Sequence, residues 1–364
     1  TRVGAHAAVN TSVDLTRTVV GEGASKFVNA VLRKVDRRGG DLGAPDRDAD
    51  PLGYLAINYA HPKWIVSAFK DALHGDIDHT EAALAASDTR PSVHLVARPG
   101  RMTPVELVAA CADAGYAAAP GPWSPYSVRL DGGDVTTLQP IRDGRAGVQD
   151  EGSQLAALVA VRAARGGSDL LDLCAGPGGK AALLAGSLRH TAGGRLVAVE
   201  PHAHRAALVR RSLAAATAGA STRTVALQAD GTVPAWPLAT FDSVLVDAPC
   251  TGLGALRRRP EARWRRQPSD VPALAAVQRR LLAAAIDAAK PGGRITYVVC
   301  SPHLAEGRVI VADALKRRGD VVAIDVREFL DGVPDLGDGP HAQLWPHLHG
   351  TDAMFVAVLE RVSP

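Results

Sequence analysis

Residues 169–180 read Asp169-Leu170-Leu171-Asp172-Leu173-Cys174-Ala175-Gly176-Pro177-Gly178-Gly179-Lys180. A short apolar run stops at Asp172, a glycine-rich turn follows, and the Ala- and Leu-rich segment Ala181–Leu188 comes next. This pattern predicts strand, turn and helix. Glycines carry no Cβ, so the backbone here can approach a ligand closely. The following helix then offers free N–H groups at its start. A phosphate loop of the form G-x-x-x-x-G-K-[ST] fits poorly, because Ala181 follows Gly179-Lys180 and Cys174 holds the first glycine's place. The dinucleotide pattern G-x-G-x-x-G/A fits better, with Gly176, Gly178 and Ala181. The stretch points to a nucleoside cofactor; a bare strand-to-helix turn is the alternative.

From residue 150 onward the pattern is regular β–α alternation. Strands are predicted over Leu170–Leu173, Arg195–Val199, Thr224–Gln228, Ser243–Val246 and Arg294–Val299. Helices are predicted over Gln154–Ala164, Ala181–Leu188, His204–Thr217 and Val271–Ala289. Right-handed crossovers turn such an order into a parallel sheet covered on both faces. Val321–Val326 and Met354–Leu359 can add two further strands.

Ligands of a doubly wound sheet bind beyond the carboxyl ends of its strands. Four more residues of interest fall there. Glu200 follows the second strand, where a carboxylate can accept both hydroxyls of a ribose. Asp230 lies just past the third, within reach of an adenine amino group. Asp247 ends the fourth and is followed by Ala248-Pro249-Cys250, and Cys300 ends the fifth, before Ser301-Pro302. Each alone reads equally as a cap or turn residue; together, beside a glycine turn, they read as a site.

Two cysteines over one pocket narrow the chemistry, although free cysteines are more often small buried hydrophobes. A thiolate is a strong nucleophile. Carbon 5 of cytosine is a weak one until a thiolate adds at carbon 6 and makes it enamine-like, able to attack an electrophilic methyl group. A carboxylic acid near the ring nitrogen would stabilise the adduct. Cys300, Asp247 and Cys250 fit these roles. The next segment, Arg257–Arg266, holds six Arg in ten residues. Such a run implies an anionic substrate, a polynucleotide, beside the site, with Trp264 free to pack or stack; a solvated Arg-rich helix is the alternative.

The first 149 residues differ in character. Residues 1–38 carry apolar residues at helical spacing but are too few to close a core, and read as the back half of a helical domain that opens here on Thr1. Gly39–Asp50 reads as a loop, and 51–74 as helix with Trp64, Ile65, Val66 and Phe69 on one face. Residues 76–145 predict a small α/β subdomain: helix Asp78–Leu84, strand Val93–Ala97, helix Pro104–Ala114 capped by Thr103, and strands Ser127–Leu130 and Val135–Leu138. Arg90, Arg98, Arg101, Arg129, Arg142 and Arg145 lie in this part, facing either phosphates or solvent. Three domains follow, at 1–75, 76–149 and 150–364.

The 364 residues are 46% hydrophobic with only 4% aromatics, so the cores must be mostly Ala, Val and Leu. The formal charge of +3 is too small to name a partner by itself. Cys111, Cys174, Cys250 and Cys300 are too widely spaced for a zinc site, and no metal is expected. A disulfide framework is not expected in a chain of this size, which suggests a reducing, cytoplasmic setting. No signal peptide or membrane span is expected.

The chain resembles the NusB-domain-containing branch of the RNA 5-methylcytosine methyltransferases, of the small-subunit ribosomal RNA methyltransferase B type. The resemblance covers nearly its whole length. Lys26–Lys34 (KFVNAVLRK) resembles the end of the NusB-like domain, and Tyr59–Val66 (YAHPKWIV) its linker. Val148–Ala156 (VQDEGSQLA) resembles the lead-in to the catalytic domain. Leu171–Lys180, Asp247–Gly252 (DAPCTG), Arg258–Trp264 (RRPEARW), Val299–Ser301 (VCS) and Gly350–Phe355 (GTDAMF) follow. The resemblance implies a Rossmann-like α/β methyltransferase domain, its mostly parallel sheet carrying a C-terminal antiparallel strand. A partial all-α NusB-like domain and an RRM-like α/β subdomain would precede it.

It implies S-adenosylmethionine as cofactor, contacted by Cys174, Ala175, Gly176, Pro177, Gly178, Gly179, Lys180, Glu200, Asp230 and Asp247. Cys300 stands at the family's nucleophile and Cys250 at the cysteine that helps release product, whereas DNA cytosine methyltransferases use the Pro-Cys cysteine. Ribosomal RNA is the implied partner, held in part by Arg258, Arg259, Arg263 and Trp264; the oligomeric state is open, with a monomer favoured. Two departures stand out: Val299 replaces the usual Thr before the nucleophile, and Thr251 replaces Ser after Cys250. An RNA-binding assembly factor of the same fold is the alternative, resting on Val299 alone.

Overall fold

The computed structural model describes residues 4–39 and 43–363. Thr1–Val3 of the helical stretch, Gly40–Leu42 of the predicted loop and Pro364 lie outside the described residues. The chain divides into two compact units between Val66 and Ser67.

In the first unit, helices Ala5–Val19 and Glu22–Arg37 pack side by side around Val9 and Val13. Arg17 ties them, bonding Asp14 at 2.6 Å and Glu22 at 3.0 Å. Leu15, Val19, Val20 and Phe27 stand exposed. The predicted helix over 51–74 is two helices, Pro51–Asn58 and Lys63–Ala72, separated at Pro62. Proline lacks the N–H that a continuing helix needs, and it pushes the preceding residue out of the helical region. Asp50 caps the first of the pair, accepting from Gly53 N at 2.8 Å.

The second unit contains two sheets. The smaller is fully antiparallel: β1 (Val93–Ala97), β2 (Ala118–Pro120), β3 (Ser127–Leu130) and β4 (Ala146–Val148), in the order β2-β3-β1-β4. Helix Pro104–Asp113 connects β1 to β2, and Thr103 with Glu106 closes a reciprocal capping box at its start. The strand predicted at Val135–Leu138 is instead a 3-10 turn, Val135–Thr137. Asp134 accepts from Thr136 N at 3.1 Å and bends the chain there. β2 and β4 are only three residues long, too short to show a period.

The larger sheet has β5 (Asp169–Asp172), β6 (Arg195–Val199), β7 (Arg223–Leu227), β8 (Phe241–Asp247), β9 (Ala289–Val299), β10 (Val321–Ile324), β11 (Ala342–Leu344) and β12 (Met354–Arg361). Its order is β10-β12-β9-β8-β5-β6-β7, with β11 also on β12. β5 to β9 run parallel, β12 pairs antiparallel with β9, and β10 pairs antiparallel with β12. The family's Rossmann-like fold is thus present, with its C-terminal antiparallel strand. β11 and the helix Arg308–Arg317 have no counterpart in the sequence reading. Leu155, Leu183, Val209 and Leu213 bury one face of this sheet; Leu281, Leu282, Ile286 and Ile310 bury the other. These cores consist largely of Ala, Val and Leu, as the low aromatic content requires.

The VQDEGSQLA stretch fastens the two sheets together. Gln154 donates to Leu95 O on β1 at 3.2 Å and accepts from Ser124 Oγ at 2.8 Å. The buried Glu151 accepts from Trp123 N at 2.9 Å and Ser124 N at 2.8 Å.

Candidate active site

The parallel order reverses between β5 and β8, because β6 and β7 lie to one side of β5 and β9 to the other of β8. Ligand crevices of open α/β sheets form at such a reversal. In register, Asp172 pairs with Leu245 and Asp247 with Val298. The glycine turn, Asp247 and Cys300 therefore leave the sheet at the same edge, with Glu200 one strand over.

The turn is shaped by its glycines. Gly178 has φ +106° and caps the helix Gly179–Ser187. A side chain there would be strained and would meet Ser212 Cβ at 2.8 Å. A Cβ on Gly176 would lie 2.1 Å from Glu200 Oε2, so the carboxylate rests directly against the backbone. Arg205 donates to Gly176 O at 2.6 Å, and Glu200 Oε1 accepts from His202 N at 2.9 Å. Asp230 is exposed, accepting from Thr232 N at 2.8 Å as a turn cap.

Around this turn the buried charge is negative. Asp172, which the sequence reading did not single out, is fully buried and its Oδ2 has no partner. Burial, then the neighbouring Asp247, push its carboxyl up to about 7. Burial and then Asp172, Asp247 and Glu200 push the Cys174 thiol well above its usual range, so it stays neutral. An orphaned carboxylate among other acidic groups fits a ligand that is cationic there, as a sulfonium amino acid is.

A raised carboxyl pKa supports the folded state below about pH 4, and that support is lost as pH climbs through about 7. Asp172→Asn is therefore expected to stabilise the ligand-free protein at pH 8, by about 4 kcal/mol at most, and to change little at pH 3.5. It should also weaken cofactor binding at pH 8. Thermal melts and titration calorimetry check both, and a destabilised variant at pH 8 would refute the buried-charge account.

The two loops that end β8 and β9 bring their sulfurs together, with Cys250 Sγ 3.4 Å from Cys300 Sγ. The bond to Cys300, and then burial, push the Cys250 thiol well above its ordinary value, so it stays neutral. Lys180 Nζ reaches Asp247 Oδ2 at 2.7 Å. Burial alone would pull this ammonium down, but Asp247, with Cys300 and Asp172 nearby, holds it above its usual value. A fixed cation thus faces both the carboxylate and the thiol, a contact that spacing did not reveal. Val299 is wholly buried on the sheet face opposite Cys300, in the apolar cluster with Tyr297 and Phe355. Cys300, just past the end of β9, packs instead against the cluster on the other face.

The Arg run is mostly engaged internally: Arg263, expected to meet RNA, is buried, while Arg258 is exposed and ion-paired. Arg257 and Arg258 bond Asp150 at 3.0 and 2.6 Å and Asp352 at 2.8 and 3.0 Å. Arg263 is buried, held by Asp88 at 2.6 Å and Ser87 O at 2.9 Å. These Arg pairs close off buried carboxylates and fix the loop after Cys250. Arg259 and Trp264 remain exposed. Arg98 and Arg101 likewise serve structure, donating to Ser212 O at 3.3 Å and Ala218 O at 3.3 Å at the end of helix Ala203–Thr217. Among the described residues no group of three or more His, Cys, Asp or Glu could hold a metal, and no helix is long and apolar enough to cross a membrane.

A family model described as 16S rRNA methyltransferase RsmB/F matches residues 159–360, and a NusB family model matches residues 1–37. A Mycobacterium tuberculosis protein, Rv1407, provisionally named a methyltransferase, is 52% identical over all of this chain and 78% of its own length. Ribosomal RNA small subunit methyltransferase B of Erwinia tasmaniensis is 30% identical over 99% of this chain and 78% of its own. The solved structure of PH0851 shares the fold, with a TM-score of 0.79 and 23% identity over 96% of this chain and 75% of its own. With a glycine turn, an acidic cofactor crevice and paired cysteines at one sheet edge, and with these matches along its length, the chain belongs to the RsmB/F family of 16S rRNA methyltransferases.

Proposed function

We propose that this rRNA methyltransferase acts on carbon 5 of a cytosine in 16S rRNA, through a bond from Cys300 Sγ to carbon 6 of the base. The observation that carries the reading is the pair of sulfurs 3.4 Å apart, beside the Lys180–Asp247 pair. S-adenosylmethionine is the methyl donor and, when bound, supplies an electrophilic methyl group. Cys174–Lys180, Glu200, Asp230 and Asp247 would hold it.

The target base must leave its stack to reach a site enclosed by loops. Cys300 adds as thiolate to carbon 6, and the displaced electron pair makes carbon 5 nucleophilic. As the negative charge develops, the ring nitrogen takes up a proton relayed from the Lys180 ammonium through Asp247. After transfer, water takes the carbon 5 proton and the ring nitrogen returns its own to the Lys180–Asp247 pair, so the ring double bond re-forms and Cys300 leaves as thiolate. The Cys250 S–H is placed to donate to that leaving sulfur. Arg259 and Trp264 stand exposed on the basic run and would meet RNA, the tryptophan by stacking. The protein acts as a monomer in the cytoplasm, where its four unpaired cysteines stay reduced. The buried position of Val299 gives no ground for a chain that has lost catalysis.

Unmodified 16S rRNA incubated with methyl-labelled donor should yield label in 5-methylcytidine on nucleoside mass spectrometry. Label in a different nucleoside would overturn the reading.

A further inference from the structure

Glu306 lies six residues past Cys300, on no strand or helix, and is wholly buried. A buried carboxylate is costly unless donors surround it, and here they come from both cysteine loops. Oε1 accepts from Thr251 N at 2.8 Å. Oε2 accepts from Thr251 Oγ1 at 2.5 Å and Ser301 Oγ at 2.7 Å. Thr251 directly follows Cys250, and Ser301 directly follows Cys300. Gln278 Nε2, which donates to Pro249 O at 2.9 Å, lies 3.3 Å from Oε1. The glutamate's own carbonyl accepts from Tyr297 OH on β9 at 2.7 Å. One carboxylate thus joins the residue after each sulfur, and its anchor is a side chain from the sheet.

We propose that Glu306 is a positioning residue that sets the spacing of Cys250 and Cys300 by clamping their loops to one buried carboxylate. The role deepens the two-cysteine reading and rests on it for its catalytic meaning, but the spacing itself can be measured without catalysis. Charge-assisted bonds are short and directional, so four donors on one group fix both loops against each other. The neutral amide of glutamine keeps the shape but loses the charge that strengthens these bonds, and its NH2 makes the Thr251 and Ser301 hydroxyls turn from donors to acceptors.

The test uses phenylarsine oxide, which condenses with two adjacent thiols to a cyclic dithioarsenite and releases one water. Wild-type protein should take up one arsenical bridging Cys250 and Cys300, seen by intact mass and mapped by peptide digestion. Glu306→Gln should bridge at least 10-fold more slowly and lower single-turnover methyl transfer at least 30-fold. Its affinity for S-adenosylmethionine should stay within 3-fold of wild type. Ser301→Ala leaves the carboxylate its other donors; it should fold and bridge about 3-fold more slowly. It carries the test should Glu306→Gln not fold. Wild-type bridging rates in both variants, or in Ser301→Ala alone if the other is unfolded, would overturn the role. Normal bridging in wild type with an active Cys300→Ala enzyme would instead refute the choice of nucleophile and leave the clamp standing.

Discussion

Cys300→Ala is expected to lower methyl transfer by about four orders of magnitude or more, the scale seen when a covalent nucleophile is removed. Cofactor affinity should change little, because the glycine turn, Glu200 and Asp172 are built by other strands. The loss arises because carbon 5 of an intact cytosine is too weak a nucleophile until a thiolate adds at carbon 6. Cys250 Sγ is close, at 3.4 Å, but it is held as a neutral thiol by its bond to Cys300 and by burial. Transfer of labelled methyl to unmodified rRNA, with calorimetric cofactor binding as control, measures both quantities. An active Cys300→Ala protein paired with an inactive Cys250→Ala protein would exchange the roles of the two sulfurs.

Cys250→Ala is expected to trap the enzyme. Addition and methyl transfer need Cys300, which this change leaves in place. Release needs a leaving thiolate, and the nearest donor to it is the Cys250 S–H. Without that donor, release should slow about 100-fold or more, at the low end of what a positioned acid supplies. A protein–RNA species should then accumulate and survive a denaturing gel, and should disappear in the double variant with Cys300→Ala. Absence of such a species, with turnover near wild type, would remove Cys250 from the release step.

The sheet was readable in the sequence because parallel strands buried on both faces leave continuous apolar runs that end sharply at polar residues. Asp172, Glu200, Asp247 and Cys300 mark four such ends. Glu306 was not readable, since a single glutamate in a loop of small residues looks like a solvated one. Only folding brings Thr251 and Gln278 to it. The partners of the Arg run were hidden for the same reason. Six guanidiniums in ten residues look exposed, but the carboxylates that bind Arg258 lie 94 and 108 residues away in the chain. The short strands β2, β4 and β11 escaped because three residues cannot display a period.

The closed ion network of Asp150, Asp352, Arg257 and Arg258 has a consequence for how tightly nucleic acid is held. Each phosphate neutralised in solution releases condensed counterions, and that release steepens the ionic-strength dependence of association. Guanidiniums already matched to carboxylates contribute nothing to it. Of the six in the run, Arg259 and Arg265 are the members whose side chains make no hydrogen bond or ion pair among the described residues. Attraction from this loop is thus weaker and less salt-sensitive than its composition implies, and discrimination among RNA targets falls to the shape of the surfaces around it.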